Sequence, residues 1–334
     1  MTKKSFYSWA VIALFSLVFA SCEKEKYIND AGNLVPKTVD QDPNLPSITI
    51  NGAKLHSEAF GKPDSSIILV LHGGPGSDYR YLLNCKDFAN QGYRVVFYDQ
   101  RGSGLSQRFP RKSYNDMQIL YDEITGVINH YKTHPNQKVF LLGHSWGAML
   151  ATAYINRYPT GDTYIPTING VVLCEPGGFI WNDIKEYVSH SRGFGLLSEF
   201  INDATYLDQF MTGKEDQHEI LDYKMSILAT GNSITGETGE LFWRNGAEIN
   251  NGLFNYGEDT KPNWTGNLHL YTTKALFIYS EKNKAYGLDW AKKVSAVYPN
   301  IELFKATNVG HSMLTNSEGW QQCYPKILTY FNSL

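Results

Sequence analysis

Val139-Phe140-Leu141-Leu142-Gly143-His144-Ser145-Trp146-Gly147, running on into Ala148-Met149-Leu150-Ala151-Thr152-Ala153-Tyr154, decides how this chain is read. An apolar run of strand character passes through G-x-S-x-G straight into a segment of good helix formers. A sharp strand-to-helix turn leaves no room for side chains on its flanks and holds its serine in a strained conformation with the hydroxyl presented outward. Gly143 and Gly147 meet that requirement, so Ser145 is the candidate nucleophile. A chance G-x-S-x-G in a surface loop would lack the strand before it and the helix after it.

A serine hydroxyl alone is a weak nucleophile; it needs a base, a carboxylate to orient the base, and donors for the developing oxyanion. Upstream, Ile67-Ile68-Leu69-Val70-Leu71 reads as a parallel strand buried on both faces and opens into His72-Gly73-Gly74-Pro75-Gly76. Glycines after such a strand let backbone N–H groups approach a substrate carbonyl. The amides of Gly74 and Trp146 are therefore the candidate oxyanion hole, one such donor being worth ~3 kcal/mol in the transition state. A further strand, Tyr93 to Tyr98, ends in Asp99-Gln100-Arg101-Gly102-Ser103-Gly104.

The motifs H-G-G-P-G, D-Q-R-G-S-G and G-H-S-W-G, in this order and at this spacing, resemble the α/β-hydrolase branch that contains the proline iminopeptidases (prolyl aminopeptidases). The resemblance runs from about Ile48 to the C-terminus and is faint between Gly178 and Leu268. It implies an α/β-hydrolase fold, a mostly parallel sheet with flanking helices and a mainly helical cap insertion. It also implies a serine hydrolase working through an acyl-enzyme without metal or cofactor. In that family the segment equivalent to Asp99–Gly104 shapes a loop beside the site, so Asp99 and Arg101 are given no direct chemistry.

The chain order of such triads is serine, acid, histidine. Ile301 to Lys305 reads as a last strand, and the loop Ala306-Thr307-Asn308-Val309-Gly310-His311-Ser312 supplies the base, His311. The other eight histidines precede the nucleophile, lie on its turn, or fall in the region read as cap. The acid departs from the family pattern. In iminopeptidases an aspartate follows the next-to-last strand; here that strand, Ala275 to Tyr279, is followed by Ser280-Glu281-Lys282-Asn283, and the aspartate position holds Asn283. An amide cannot carry the charge that stabilises an imidazolium. Glu175, just past the strand Val171-Val172-Leu173-Cys174, offers a replacement at the strand edge where catalytic groups gather in open α/β sheets. Some haloalkane dehalogenases and related α/β hydrolases take their acid from this strand. A carboxylate at an apolar strand end is costly unless used; Glu281 and Asp289 stand in reserve.

Strands near Ile67, Tyr93, Lys138, Asn169, Lys274 and Asn300 alternate with helix-like segments Tyr79–Gln91, Tyr114–Tyr131 and Leu288–Val297, the rhythm of a parallel sheet with right-handed crossovers. Ser47 to Gly52 and Ala53 to Phe60 read as antiparallel edge strands leading in. The core is expected over 47–177 and 269–334, and the stretch 178–268, rich in aromatics and asparagine, as a cap over the site. Its Trp181, Phe194, Phe242, Trp243 and Phe254 are either pocket walls or cap core. Cap glutamates hold the substrate amino group in iminopeptidases, and Ala247-Glu248-Ile249-Asn250-Asn251-Gly252-Leu253-Phe254 resembles that segment, which makes Glu248 the candidate substrate-binding residue.

The first residues suggest location. Lys3-Lys4 form a basic start, Phe6 to Ala20 an apolar stretch short for a bilayer span, and Phe19-Ala20-Ser21-Cys22 resembles a bacterial lipobox. The expectation is a signal peptide over 1–21, lipidation at Cys22, a polar tether over 22–46, and a bacterial cell-envelope protein joined to the membrane by its N-terminal lipid. About 290 of the 334 residues remain for the body, enough for one large α/β domain with an insertion. The formal charge of -3 becomes -5 once Lys3 and Lys4 leave, and no basic run supports nucleic-acid binding. Cys85, Cys174 and Cys323 have no metal-ligand spacing and read as buried thiols, an oxidising compartment permitting one pair. The expected partner is a small peptide or small-molecule substrate. An aminopeptidase-like hydrolase leads the readings; an esterase on the same scaffold and a non-catalytic binding lipoprotein, the latter motivated by Asn283 alone, compete with it.

Overall fold

A computed structural model of the chain describes residues 34–192, 217–228, 234–236 and 244–334. The signal segment, Cys22, Phe194, Phe242 and Trp243 lie outside the described residues. Eight strands form one sheet: β1 (Ser47–Ile50), β2 (Ala53–Phe60), β3 (Ile67–Leu71), β4 (Arg94–Tyr98), β5 (Val139–His144), β6 (Gly170–Cys174), β7 (Ala275–Ser280) and β8 (Ile301–Ala306), in the order β1-β2-β4-β3-β5-β6-β7-β8. The β1–β2 and β2–β4 pairings are antiparallel and all others parallel. This is the α/β-hydrolase architecture that the motifs imply, with each core strand beginning within a residue or so of its expected place.

β3, β5, β6 and β7 are buried along their whole length, because layers cover both faces of the sheet and continuous Val/Ile/Leu runs suit such strands. On one face pack α1 (Gln118–Tyr131), α2 (Trp146–Arg157) and α6 (Gly287–Ser295), through residues such as Ile124, Val127, Leu150, Ala151 and Trp290. On the other lie the segment Arg80–Gln91 and α7 (Ser317–Asn332), which contribute Leu82, Phe88, Ile327 and Phe331. Arg80–Gln91, expected as a regular helix, forms 3₁₀ turns. The expected helix Tyr114–Tyr131 is shorter at its start: a 3₁₀ turn, Arg111–Tyr114, comes first and α1 begins at Gln118.

The inserted stretch contributes α3 (Trp181–Arg192), α4 (His218–Leu228) and α5 (Ala247–Thr260). Trp181 and Phe254 meet edge to face with centroids 5.6 Å apart, and the Cα of Gly257 sits so close to the Trp181 ring that an added Cβ would lie 2.1 Å from it. These two aromatics belong to the packing of the cap itself. The polar stretch before β1 also packs down from residue 34 onward. Thr38 and Val39 are buried, the Val39 N–H donates to the Leu105 carbonyl (2.8 Å), and Arg244 reaches the Pro36 carbonyl (3.0 Å). From residue 34 onward the expected tether is therefore packed against the body. Among the described residues no helix is long and apolar enough to cross a membrane.

Candidate active site

Ser145 closes β5 and caps α2 with φ 54° and ψ -120°. Its neighbours show why the sequence demands glycine there: a Cβ on Gly143 would stand 2.4 Å from the Gly147 carbonyl oxygen, and one on Gly147 2.0 Å from that of Leu71. Among the described residues five other than glycine have positive φ. Asn51 and Asn308 are asparagines, which tolerate the left-handed region, and Lys261 is the left-handed cap of α5. The remaining two are Ser145 and Glu175 (φ 43°). Such strain persists only where surrounding structure enforces it, and it concentrates at functional positions. Each is also pinned by its main chain to the next strand, Ser145 N–H to the Cys174 carbonyl (2.8 Å) and Glu175 N–H to the Ile278 carbonyl (3.0 Å).

Glu175 is fully buried, and four donors converge on its carboxylate. The Ser280 amide and hydroxyl both donate to Oε1 at 2.6 Å, Asn283 Nδ2 donates to Oε2 at 2.8 Å, and His311 Nδ1 lies 2.7 Å from the same Oε2. Burial by itself pushes this carboxyl up; the His311 contact, followed by those of Ser280 and Asn283, outweighs it and holds the group below its ordinary value. The acid is thus ionised at neutral pH. Because a carboxylate only accepts, Nδ1 of His311 carries a proton, and in the neutral ring Nε2 keeps its lone pair. That is the tautomer a general base needs.

The reserve acids stand elsewhere. Glu281 is exposed and engaged by Lys305 Nζ (2.6 Å) and the Asn308 N–H (3.0 Å), and Asp289 is exposed in the first turn of α6. Asn283, which the sequence showed only as a missing aspartate, is buried and serves as a donor, reaching the Tyr187 hydroxyl (3.3 Å) as well as Glu175. No local pattern announces that role, since its partner lies 108 positions away.

On the oxyanion side, Gly73 packs against the nucleophile, its added Cβ falling 3.1 Å from Ser145 Cβ. The Gly73 amide donates to the Tyr81 hydroxyl (2.7 Å), which leaves the Gly74 amide as the candidate donor from this loop. Trp146 begins α2, where backbone N–H groups lack intrahelical acceptors; its indole donates to Gln100 Oε1 (2.9 Å). The inserted stretch holds this loop: the Gly246 N–H donates to the Gly76 carbonyl (2.8 Å) and Asn250 Nδ2 to that of Pro75 (2.9 Å). A second part of the inserted stretch bridges the loops after β7 and β8. The Ile234 carbonyl accepts from Lys284 N–H (2.8 Å) and the Thr235 carbonyl from His311 N–H (2.9 Å).

Other sequence candidates fall into supporting positions. Asp99 accepts from the Tyr79 and Leu105 amides and pairs with His56 (2.8 Å), and Arg101 pairs with buried Glu123 (2.9 Å), in keeping with a structural loop. Glu248, in the first turn of α5, is buried and accepts from Arg111 Nε (3.0 Å). Cys85, Cys174 and Cys323 are buried free thiols. No group of three or more His, Cys, Asp or Glu side chains among the described residues has the arrangement of a metal site.

The family model Hydrolase_4, described as serine aminopeptidase, S33, matches residues 62–250, more than half of the chain. The chain belongs to this family. Across the S33 chain, similarity reaches proline iminopeptidase PfmaB of Pestalotiopsis fici, 25% identical over 279 residues that cover 80% of this chain and 92% of the relative. The proline iminopeptidase of Arabidopsis thaliana is 31% identical over 159 residues, 48% of this chain and 40% of that protein. The crystal structure of proline iminopeptidase from Mycobacterium smegmatis superposes with a TM-score of 0.54 at 17% identity, covering 85% of this chain and 97% of the other, a likeness of fold.

Proposed function

We propose that this S33 hydrolase attacks a carbonyl substrate with Ser145, uses His311 as general base and then general acid, and orients and charge-balances His311 with Glu175. The observation that carries the reading is the 2.7 Å His311–Glu175 contact on a buried, ionised carboxylate, in a sheet whose neighbouring strand ends in a strained serine elbow. His311 takes the Ser145 proton as the hydroxyl adds to the carbonyl, and the amides of Gly74 and Trp146 bind the oxyanion. The protonated imidazole then delivers the proton to the leaving group, giving an acyl-enzyme that water cleaves by the same steps in reverse. Catalysis needs no metal or cofactor.

The substrate reading is an aminopeptidase releasing an N-terminal residue, in the manner of the proline iminopeptidases, with Glu248 contributing to recognition of the free amino group. The body is carried in a bacterial cell envelope on lipid at Cys22. A second reading, an esterase-type hydrolase for uncharged acyl substrates, is favoured by Glu248 already accepting a charge-assisted bond from Arg111, which offsets the charge an ammonium would seek. A panel of aminoacyl (prolyl first) and acyl-ester chromogenic substrates separates the two. Fluorophosphonate labelling tests the shared mechanism: the wild type is labelled at Ser145, and Ser145→Ala loses both label and turnover, by ~10⁶ in rate for a nucleophile acting with its triad. Substantial turnover by folded Ser145→Ala protein would overturn it.

A further inference from the structure

His144, the variable residue of G-x-S-x-G, is buried and held between two partners on opposite sides. Its Nε2 lies 2.8 Å from the main-chain carbonyl of His311, and its Nδ1 lies 2.9 Å from the Tyr81 hydroxyl. The carbonyl can only accept, so Nε2 carries the proton. Burial, with the neighbouring His311 adding to it, lowers His144 to about 3, so the ring stays neutral and Nδ1 accepts from the Tyr81 O–H. The Tyr81 oxygen in turn accepts the Gly73 N–H at 2.7 Å. Every proton in this chain is thereby placed: Gly73 N–H to Tyr81, Tyr81 O–H to His144 Nδ1, His144 Nε2–H to the His311 carbonyl.

This chain joins the oxyanion loop, the nucleophile elbow and the base loop, which are far apart in sequence and follow separate strands. Three further hydrogen bonds tie the 3₁₀ segment bearing Tyr81 to the residues just after the base. Thr315 Oγ1 donates to the Tyr81 carbonyl (3.0 Å), and Asn84 Nδ2 donates to the carbonyls of Leu314 and Thr315 (3.0 Å each). The His144 and His311 rings themselves lie 4.5 Å apart, centroid to centroid. The strands that lead into these loops stop at Leu71, His144 and Ala306, so beyond them the relative placement of the loops depends on contacts of this kind.

We infer that Tyr81 and His144 are positioning residues that lock the oxyanion loop, Ser145 and His311 into one register, an inference that rests on Ser145 and His311 acting as nucleophile and base. Neither side chain is asked to touch substrate. Loss of the link displaces the base and the oxyanion loop relative to the serine, and a misplacement on the order of 1 Å costs about 10²-fold in rate. Substrate binding by the cap is left largely as it was.

The test compares His144→Leu, His144→Gln and Tyr81→Phe with wild type, in steady-state kinetics on the best substrate of the panel and in the rate of fluorophosphonate labelling. His144→Leu is expected to lose about 10²-fold in kcat and in labelling rate with KM within about threefold, and Tyr81→Phe about tenfold. His144→Gln should recover most of the loss, because its amide can donate to the His311 carbonyl and accept from Tyr81; a residue that only fills space would show no such rescue. Tyr81→Phe removes one hydroxyl and keeps the test available if His144→Leu does not fold. Wild type labelled at Ser145 with Tyr81→Phe and folded His144→Leu labelled as fast would overturn this inference and leave the triad intact. A wild type that neither labels nor turns over would overturn both.

Discussion

The turn after β6 and the turn after β7 lie side by side in the sheet and differ in charge. The first opens on Glu175, strained, fully buried and ionised; the second, with Ser280 at the end of β7 and Asn283 beyond it, presents two neutral side chains aimed at that carboxylate. Together they still form one acid site beside His311. On the proposed function, the contrast teaches that a histidine base requires a charge beside it and donors to hold that charge, without fixing which strand supplies which. A buried carboxylate costs several kcal/mol unless its lone pairs are filled, and the polar turn that no longer bears the acid fills them.

The largest expected effect breaks the first side of the comparison. Glu175→Gln should lower kcat by ~10⁴, since an amide neither stabilises the imidazolium nor enforces the Nδ1–H tautomer; steady-state kinetics of folded protein measure it, and near-normal kcat would move the acid elsewhere. The second side is probed by Asn283→Ala, expected to cost about tenfold in kcat, because one donor to a buried charge is worth ~1.5–3 kcal/mol but three others remain. Sequence reasoning alone would have assigned this change almost no effect. Glu281→Gln sharpens the contrast as the control: this glutamate is exposed and bound to Lys305, so kcat should stay within about twofold, surface ion pairs contributing little.

A pH experiment separates the acid from the positioning histidine. His144 is lowered to about 3 when folded, from an ordinary value of 6.5. Below pH 6.5 the unfolded chain takes up a proton that the folded chain refuses, so stability falls as pH falls from 6.5 towards 3. Glu175 is also held below its ordinary value of 4.5, and its contribution is complete above that value and lost as pH drops through its folded pKa. Between pH 7 and 4.5 the His144 effect, ~2–3 kcal/mol, should therefore exceed that of Glu175, with buried His72, also lowered, adding to it and His56, raised beside Asp99, opposing it in wild type and variant alike. Denaturant titrations of wild type and His144→Gln check it: the variant should lose less stability over that interval, and parallel losses would contradict the assignment.

Much of this was legible in the chain because it is local. The runs Ile67–Leu71, Val139–Leu142 and Val171–Cys174 are apolar throughout since their strands are covered on both faces, and glycines at 143 and 147 are demanded by backbone contacts closer than 2.5 Å to any added Cβ. Glu175 stood out because a charge at the end of an apolar strand calls for a reason. What stayed hidden depends on partners far away in sequence. Asn283 and Ser280 acquire their meaning from Glu175, 108 and 105 positions distant, and His144, set aside in the sequence as a histidine on the nucleophile's turn, links loops through Tyr81 and the His311 carbonyl. The 3₁₀ form of Arg80–Gln91 was equally unreadable, since its amphipathic pattern suits either helix. Glu248 read as a glutamate for a substrate amino group, and only the fold brings Arg111, 137 positions before it, to its side.

The most direct test of the account is a proton NMR measurement of the His311 Nδ1–H in histidine-labelled protein, assigned by its disappearance in His311→Gln. A strongly hydrogen-bonded proton shared with Glu175 resonates far downfield and is sheltered from exchange. The account predicts that this resonance is present in the wild type, persists in Glu281→Gln and Asp289→Asn, and is abolished in Glu175→Gln. Its survival in folded Glu175→Gln, or its loss in Glu281→Gln or Asp289→Asn, would contradict the placement of the acid at the end of β6.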